Sequence, residues 1–256
     1  MSIGISLEGI AAFIFRTTGD ILHVLSMLVL IVKMKRTRSC SGISLKSQIL
    51  YLTVYVWRYL DIIFFLLYPR QLFSSNRMIY NGIMKILFTT LQSHIIYKMV
   101  HHYFYSYDNE YDDTPITYII AFAFISGGFL FTKPLTNEYR FIRMGLDWLW
   151  ASSVVLESIS ILPQLVLLHK AGEGETLTIH YVLFLGMYRF LYMLSWIVNW
   201  LIVGKVKSHL LLWGSVLQTL LYSELFIVYT KSFLTKGKRL KVKPRQFLRD
   251  ALSWGE

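Results

Sequence analysis

The sequence predicts an all-α membrane protein with seven transmembrane helices, and three observations carry that prediction. The 256 residues are 55% hydrophobic and 16% aromatic, with a mean hydropathy of +0.48, too apolar for an ordinary soluble domain. Seven apolar stretches, roughly 9–33, 47–68, 78–99, 116–132, 146–168, 180–202 and 208–232, each approach the ~20 residues needed to cross a hydrocarbon core. The connections are short and hold no soluble domain, so the chain divides into a seven-helix region, 1–234, and a basic tail, 235–256.

Taken in order, the opening MSIGISLEGI lacks a basic n-region, so no cleaved signal peptide is expected. The connection after the first span is basic, from Lys33 to Lys46, and contains Cys40, a lone cysteine that excludes an internal disulfide. The third span ends at His101 and His102, polar residues at the membrane boundary with no ligand set nearby, and the acidic connection SYDNEYDDTP is expected to be solvated. The fourth span is the shortest. The fifth ends in ILPQL, placing Pro163 and Gln164 at a helix terminus. Such pairs recur in small transporters built from two three-helix bundles plus a linker helix, the PQ-loop/SWEET-like plan. Seven spans divide naturally as three, one, three, although proline at a helix terminus needs no special reason. The seventh span leads into TKGKRLKVKPRQFLRDALSWGE, expected to be partly disordered with a short amphipathic surface helix at its end.

Charge sets the expected sides. With the N-terminus outside the cytosol, cytosolic segments hold 15 of the 26 lysines and arginines, the opposite side 7, and the spans themselves 4, the bias expected of cytosolic loops. The net charge of +11 therefore sits mainly in the first connection and the tail, which points to acidic membrane lipids or a coat protein as partners and not to nucleic acid. No Ser-His-Asp order, metal-ligand spacing, phosphate loop or HExxH helix is present. The chain reads as a non-enzyme that needs no metal or cofactor.

The spans nevertheless carry ionisable groups: Arg16, Asp20 and His23 in the first, Arg58 and Asp61 in the second, Glu157 in the fifth. Each costs at least ~2.5–3.5 kcal/mol in a membrane, so such groups face a polar cavity or one another. Arg58 and Asp61 share a helical face at i, i+3. Tyr188, Tyr192, Ser195 and Asn199 form one stripe, with Trp196 beside it, and the fifth span opens with Asp147, Trp148 and Trp150. On the expected topology these groups lie at similar depth near the non-cytosolic side, with His23 and Glu157 deeper. Two readings are open. Paired cations and anions suit a zwitterionic or peptide-like ligand with carboxylates and an amine; alternatively they only neutralise one another as structural pairs. Glu157 has two candidate partners, His23 and Arg189, and histidine titrates nearest the acidic-to-neutral range of secretory organelles.

The strings IFRTTGDILH (14–23), RSCSGISLKSQIL (38–50), RYLD (58–61), LESISILPQL (156–165), GEGETLTIHY (172–181) and GMYRFLYMLSW (186–196) resemble the ER lumen protein-retaining receptors, the KDEL receptors, over about residues 13–240. The resemblance implies a receptor of the endoplasmic reticulum and Golgi membranes, N-terminus lumenal and C-terminus cytosolic. It binds the C-terminal tetrapeptide of escaped ER lumenal proteins in the acidic Golgi and returns them with the COPI coat. It implies that Arg58, beside Tyr59, holds the ligand carboxylate, and that Arg16 meets the acidic side chain next to the terminal leucine. Asp61 and Asp147 (glutamate in the family) meet the ligand's basic residue. Trp150, Tyr188, Tyr192 and Trp196 match the pocket aromatics, His23 and Glu157 the proton-sensing pair. Glu224, Lys236, Lys238 and Arg239 match positions linked to transport and to the coat signal. Two positions depart: Ser195 stands where the family has asparagine, and Asn199 where it has an arginine that answers the ligand's second residue. A site that tolerates or prefers a neutral second residue, and so an altered signal preference, is one expected consequence; a divergent paralogue with lost or altered cargo recognition is the other. The alternative is a small-solute or amino-acid transporter of the same fold.

Overall fold

A computed structural model describes residues 7–60, 76–130, 140–171, 173–174, 176–203, 209–234 and 240–241. The expected all-helical membrane architecture is what it shows. The helices are α1 (Leu7–Thr37), α2 (Leu45–Arg58), α3 (Asn76–His101), α4 (Ile116–Leu130), α5 (Arg140–Ile159), α6 (Leu162–Ala171), α7 (Thr176–Val203) and α8 (His209–Leu234), with a 3-10 turn at Phe104–Ser106. Every expected span holds helix, α5 and α6 sharing the fifth. Segments Ala11–Thr37, Met144–Leu168 and His180–Ile202 are long and apolar enough to cross a membrane, and Ile116–Leu130 is a shorter apolar helix.

The distribution of side chains is inside-out relative to a water-soluble protein. Phe129, Leu201 and Trp213 are 80%, 73% and 69% exposed, whereas Asp20, Glu157 and Arg189 are 4%, 5% and 6% exposed. Lipid is the solvent that makes both choices favourable.

Helix pairing carries an internal symmetry. α1 packs chiefly against α7, and α2 against α5; α3 touches α1 and α2, while α8 touches α5 and α7. Exchanging α1, α2, α3 for α5, α7, α8 maps each contact onto another, the pattern of two three-helix bundles related by a two-fold. α4 lies outside this scheme and packs on α5, as a linker should. It sits close because Gly127 and Gly128 face α5: a Cβ at Gly127 would come within 2.5 Å of the Ser152 backbone, and one at Gly128 within 2.4 Å of the Trp148 ring. Small residues permit such approach between membrane helices. Gly127→Ala should therefore push α4 off α5 and cost about 1–3 kcal/mol, read as a lower unfolding temperature in detergent.

The Pro-Gln pair has a definite task. Pro163 falls in the first turn of α6, where its missing N–H is tolerated, after a break at Ser160 and Ile161. The Gln164 N–H then donates to Ser47 Oγ at 2.9 Å, its Nε2 to the Gly42 carbonyl at 2.8 Å, and its Oε1 accepts from the Ser44 N–H at 2.9 Å. Gly42 adopts φ 75°, a left-handed turn that glycine makes without steric cost. Ser44 caps α2 by accepting from the Ser47 N–H and donates to Asp112, which also accepts from the Lys46 N–H and the Tyr107 hydroxyl. Burial and that carboxylate raise the Tyr107 pKa. The acidic connection, expected to be solvated, thus buries Asp112 completely and closes one end of the bundle. The rest of the connection is mostly exposed, Glu110 and Asp113 included, with Asp113 paired to Lys170.

Beyond α6, Glu173–Gly174 pairs antiparallel with Leu240–Lys241, so part of the tail expected to be disordered pairs with a preceding loop.

Candidate functional site

Three clusters of polar side chains occupy the interior toward the Arg16 end of the bundle. In the first, Asp20 accepts a hydrogen bond from the Tyr80 hydroxyl at 2.7 Å and another from the Tyr192 hydroxyl. Tyr192 reaches over α1 because Gly19 leaves room; a Cβ there would meet its ring at 2.7 Å. One turn earlier, exposed Arg16 donates from Nη2 to Asn81 Oδ1 at 3.0 Å.

The second cluster is a charged triad. Arg58, the last residue of α2, donates from Nε to Ser153 Oγ at 3.0 Å and from Nη1 to Glu157 Oε2. The other oxygen of Glu157 pairs with Arg189 Nη2. One carboxylate thus serves two guanidiniums, and the triad carries net charge +1. Arg58 Nη2, Arg189 Nε and the Tyr188 hydroxyl are buried without a hydrogen-bond partner among the described residues. Buried donors left unmade are costly, and three together beside excess positive charge fit an anionic ligand.

The third cluster surrounds His23. Its Nε2 lies 2.8 Å from the Tyr55 hydroxyl, and its ring stacks on Tyr188 with centroids 4.1 Å apart and planes 3° from parallel. Phe88 closes another side at 4.5 Å. Tyr55 in turn stacks on Tyr59 at 5.6 Å, and the Lys85 ammonium sits 5.5 Å from the Tyr59 ring centroid.

Several expectations change in detail. Of the two partners open to Glu157, Arg189 holds it and His23 does not; His23 takes Tyr55 instead. Glu157 meets Arg58 directly, because the long Arg58 side chain crosses the α2–α5 contact to reach one turn beyond Ser153. Arg16 and Asp20 do not neutralise each other, since each is engaged by α3. The Ser195 hydroxyl is spent on the Ala12 carbonyl at 2.8 Å. Asp147, Trp150, Trp196 and Asn199 are half-buried on α5 and α7. Asp61, Lys236, Lys238 and Arg239 lie outside the described residues, as does the side chain of Glu224. Among the described residues no three His, Cys, Asp or Glu side chains gather as metal ligands.

Deeper in the bundle the structure holds a further set of buried polar side chains, packed and not open. Tyr51 and Tyr222 share a hydrogen bond of 3.0 Å, Gln48 donates to Tyr181 at 2.9 Å, and Gln92 donates to Gln48 Oε1 at 2.9 Å. These groups are buried and mutually bonded, a packed ladder between the charged triad and the Gln164 end. The residues not foreseen are Tyr55, Tyr80, Asn81 and Ser153. Tyr55 precedes Arg58 by three and Ser153 precedes Glu157 by four, helical spacings that place them on the same faces.

Comparison with known proteins finds relatives along most of the chain. The model of the family described as ER lumen protein retaining receptor matches residues 39–199. An ER lumen protein-retaining receptor of Drosophila melanogaster is 36% identical over 232 residues, covering 90% of this chain and 98% of its own. One of Dictyostelium discoideum is 38% identical, over 89% and 97%, and ER lumen protein-retaining receptor 2 of Homo sapiens is 36% identical, over 90% and 98%.

Proposed function

The chain belongs to the ER lumen protein retaining receptor family, and from that premise we infer that it is a non-enzymatic receptor for the C-terminal retention tetrapeptide of ER lumenal proteins. One observation carries the reading: Arg58 and Arg189 share the single carboxylate of Glu157, with Arg58 Nη2, Arg189 Nε and the Tyr188 hydroxyl unpartnered among the described residues. A terminal carboxylate is the planar, singly charged group that a guanidinium fork recognises. Tyr59, Trp150, Tyr188, Tyr192 and Trp196 line the site; Arg16 takes an acidic side chain of the ligand, and Asp61 and Asp147 its basic residue. With Ser195 engaged by α1 and the amide Asn199 in place of a cation, the ligand's second residue is neutral.

His23 supplies the pH dependence. Its ring stacks on Tyr188, so a proton there adds positive charge beside the carboxylate site, and proton and anion binding favour each other reciprocally. Capture then belongs to the acidic Golgi and release to the neutral ER. The N-terminus faces the lumen. Glu224 and the tail residues Lys236, Lys238 and Arg239 on the cytosolic side serve return with the COPI coat, with acidic lipid as a further partner for the basic tail.

Binding of C-terminal tetrapeptides to the purified protein at about pH 5.5 and about 7.4, with an amidated terminus as control, tests the reading. Tight binding at the acidic pH, lost on amidation, is expected; no binding to any peptide at either pH overturns it. The two-fold helix pairing around a polar interior favours one competitor, a small-solute transporter, which would show uptake into liposomes. The packed ladder and the closed Gln164 end oppose it.

A further inference from the structure

Arg16 and Asp20 stand four residues apart on α1, the spacing at which opposite charges on one helix meet. They do not meet here. Adjacent residues of α3 divert them: Asn81 Oδ1 accepts from Arg16 Nη2 at 3.0 Å, and the Tyr80 hydroxyl donates to Asp20 Oδ2 at 2.7 Å. Tyr192 occupies the other Asp20 oxygen, so that carboxylate is buried and saturated, 4% exposed. Arg16 remains exposed and, among the described residues, is held by a neutral amide only. A guanidinium held this way keeps its full charge and presents its remaining N–H groups in a fixed orientation. Nothing in the sequence pattern assigns α3 any part of the site.

We propose that Asn81 is a specificity-determining residue: with Tyr80 clamping Asp20 away, it orients Arg16 without neutralising it and so reserves a cation at the mouth of the site for an acidic side chain of the bound peptide. The proposal rests on the peptide-receptor reading above. Its chemical content is separate, since Asn81 governs which peptide is preferred and not whether peptides bind.

The test compares two tetrapeptides that differ only in glutamate or glutamine next to the terminal residue, bound to wild type, Asn81→Asp and Asn81→Ala. Wild type should prefer glutamate by about ten-fold or more, the order expected of a charge-assisted contact. Asn81→Asp places a carboxylate on Arg16 and should bring the preference close to one. Asn81→Ala removes the orienting amide without adding charge and should narrow the preference, but by less than Asn81→Asp does. A preference that survives Asn81→Asp, or one that collapses equally in Asn81→Ala, overturns the proposal while leaving the receptor reading standing. If wild type binds neither peptide, both fall.

Discussion

Arg58→Ala should weaken C-terminal peptide binding by about 30-fold to several thousand-fold, corresponding to the 2–5 kcal/mol for removing one partner of a buried charge pair. The geometry makes this side chain the natural anchor. Its Nε and Nη1 are committed to Ser153 and Glu157, which fix the plane of the guanidinium, and Nη2 is buried with no partner among the described residues. A ligand carboxylate thus meets a donor already oriented and desolvated, which lowers the ordering cost of binding. Folding should suffer far less, because Glu157 keeps Arg189 and the triad becomes a neutral pair. Peptide titration together with thermal unfolding reads both effects. Arg58→Lys retains charge without the fork and should still bind poorly. Equal binding by Arg58→Lys and wild type would show that a point charge suffices.

Sequence pattern located the spans and the ionisable residues because both signals are local. A run of about twenty apolar residues has one explanation in a membrane protein, and a charge inside it demands a partner. Which partner it finds depends on how each helix is rotated and staggered against its neighbours, and nothing in the spacing along one helix encodes that. Glu157 and Arg189 were legible as a candidate pair because they are the buried charges of successive spans. That Arg58 joins them follows only from the α2–α5 packing. Asn81 and Tyr80 were invisible for a different reason: an asparagine and a tyrosine near a helix start read as interfacial residues. SYDNEYDDTP has the composition of a solvated loop and most of it is exposed; only the contacts of Ser44 and Tyr107 single out Asp112 as its buried carboxylate. Pro163 and Gln164 hinted at the three-one-three plan, and reciprocal helix pairing gives that hint its structural content.

Replacing Glu157 should have the largest effect on stability. In Glu157→Ala, Arg58 and Arg189 remain buried with no counter-ion between them, and breaking a buried ion pair from one side typically costs about 3–5 kcal/mol; here two cations lose the same partner. Glu157→Gln preserves shape and a carbonyl acceptor but not the charge, and should fall between Glu157→Ala and wild type. Adding Arg189→Met to Glu157→Gln removes one of the stranded cations and should recover part of the loss, a non-additivity that only a shared interaction produces. The triad and the ligand site are one cluster, so stability and binding are linked. A peptide carboxylate supplies the negative charge that Glu157→Gln lacks, and a ligand that binds only the folded state stabilises it in proportion to its affinity. A saturating tetrapeptide should therefore raise the unfolding temperature of Glu157→Gln by more than it raises that of wild type, and the amidated peptide should do neither. Equal stability of Glu157→Gln and wild type without peptide would mean that the carboxylate does not hold the two arginines.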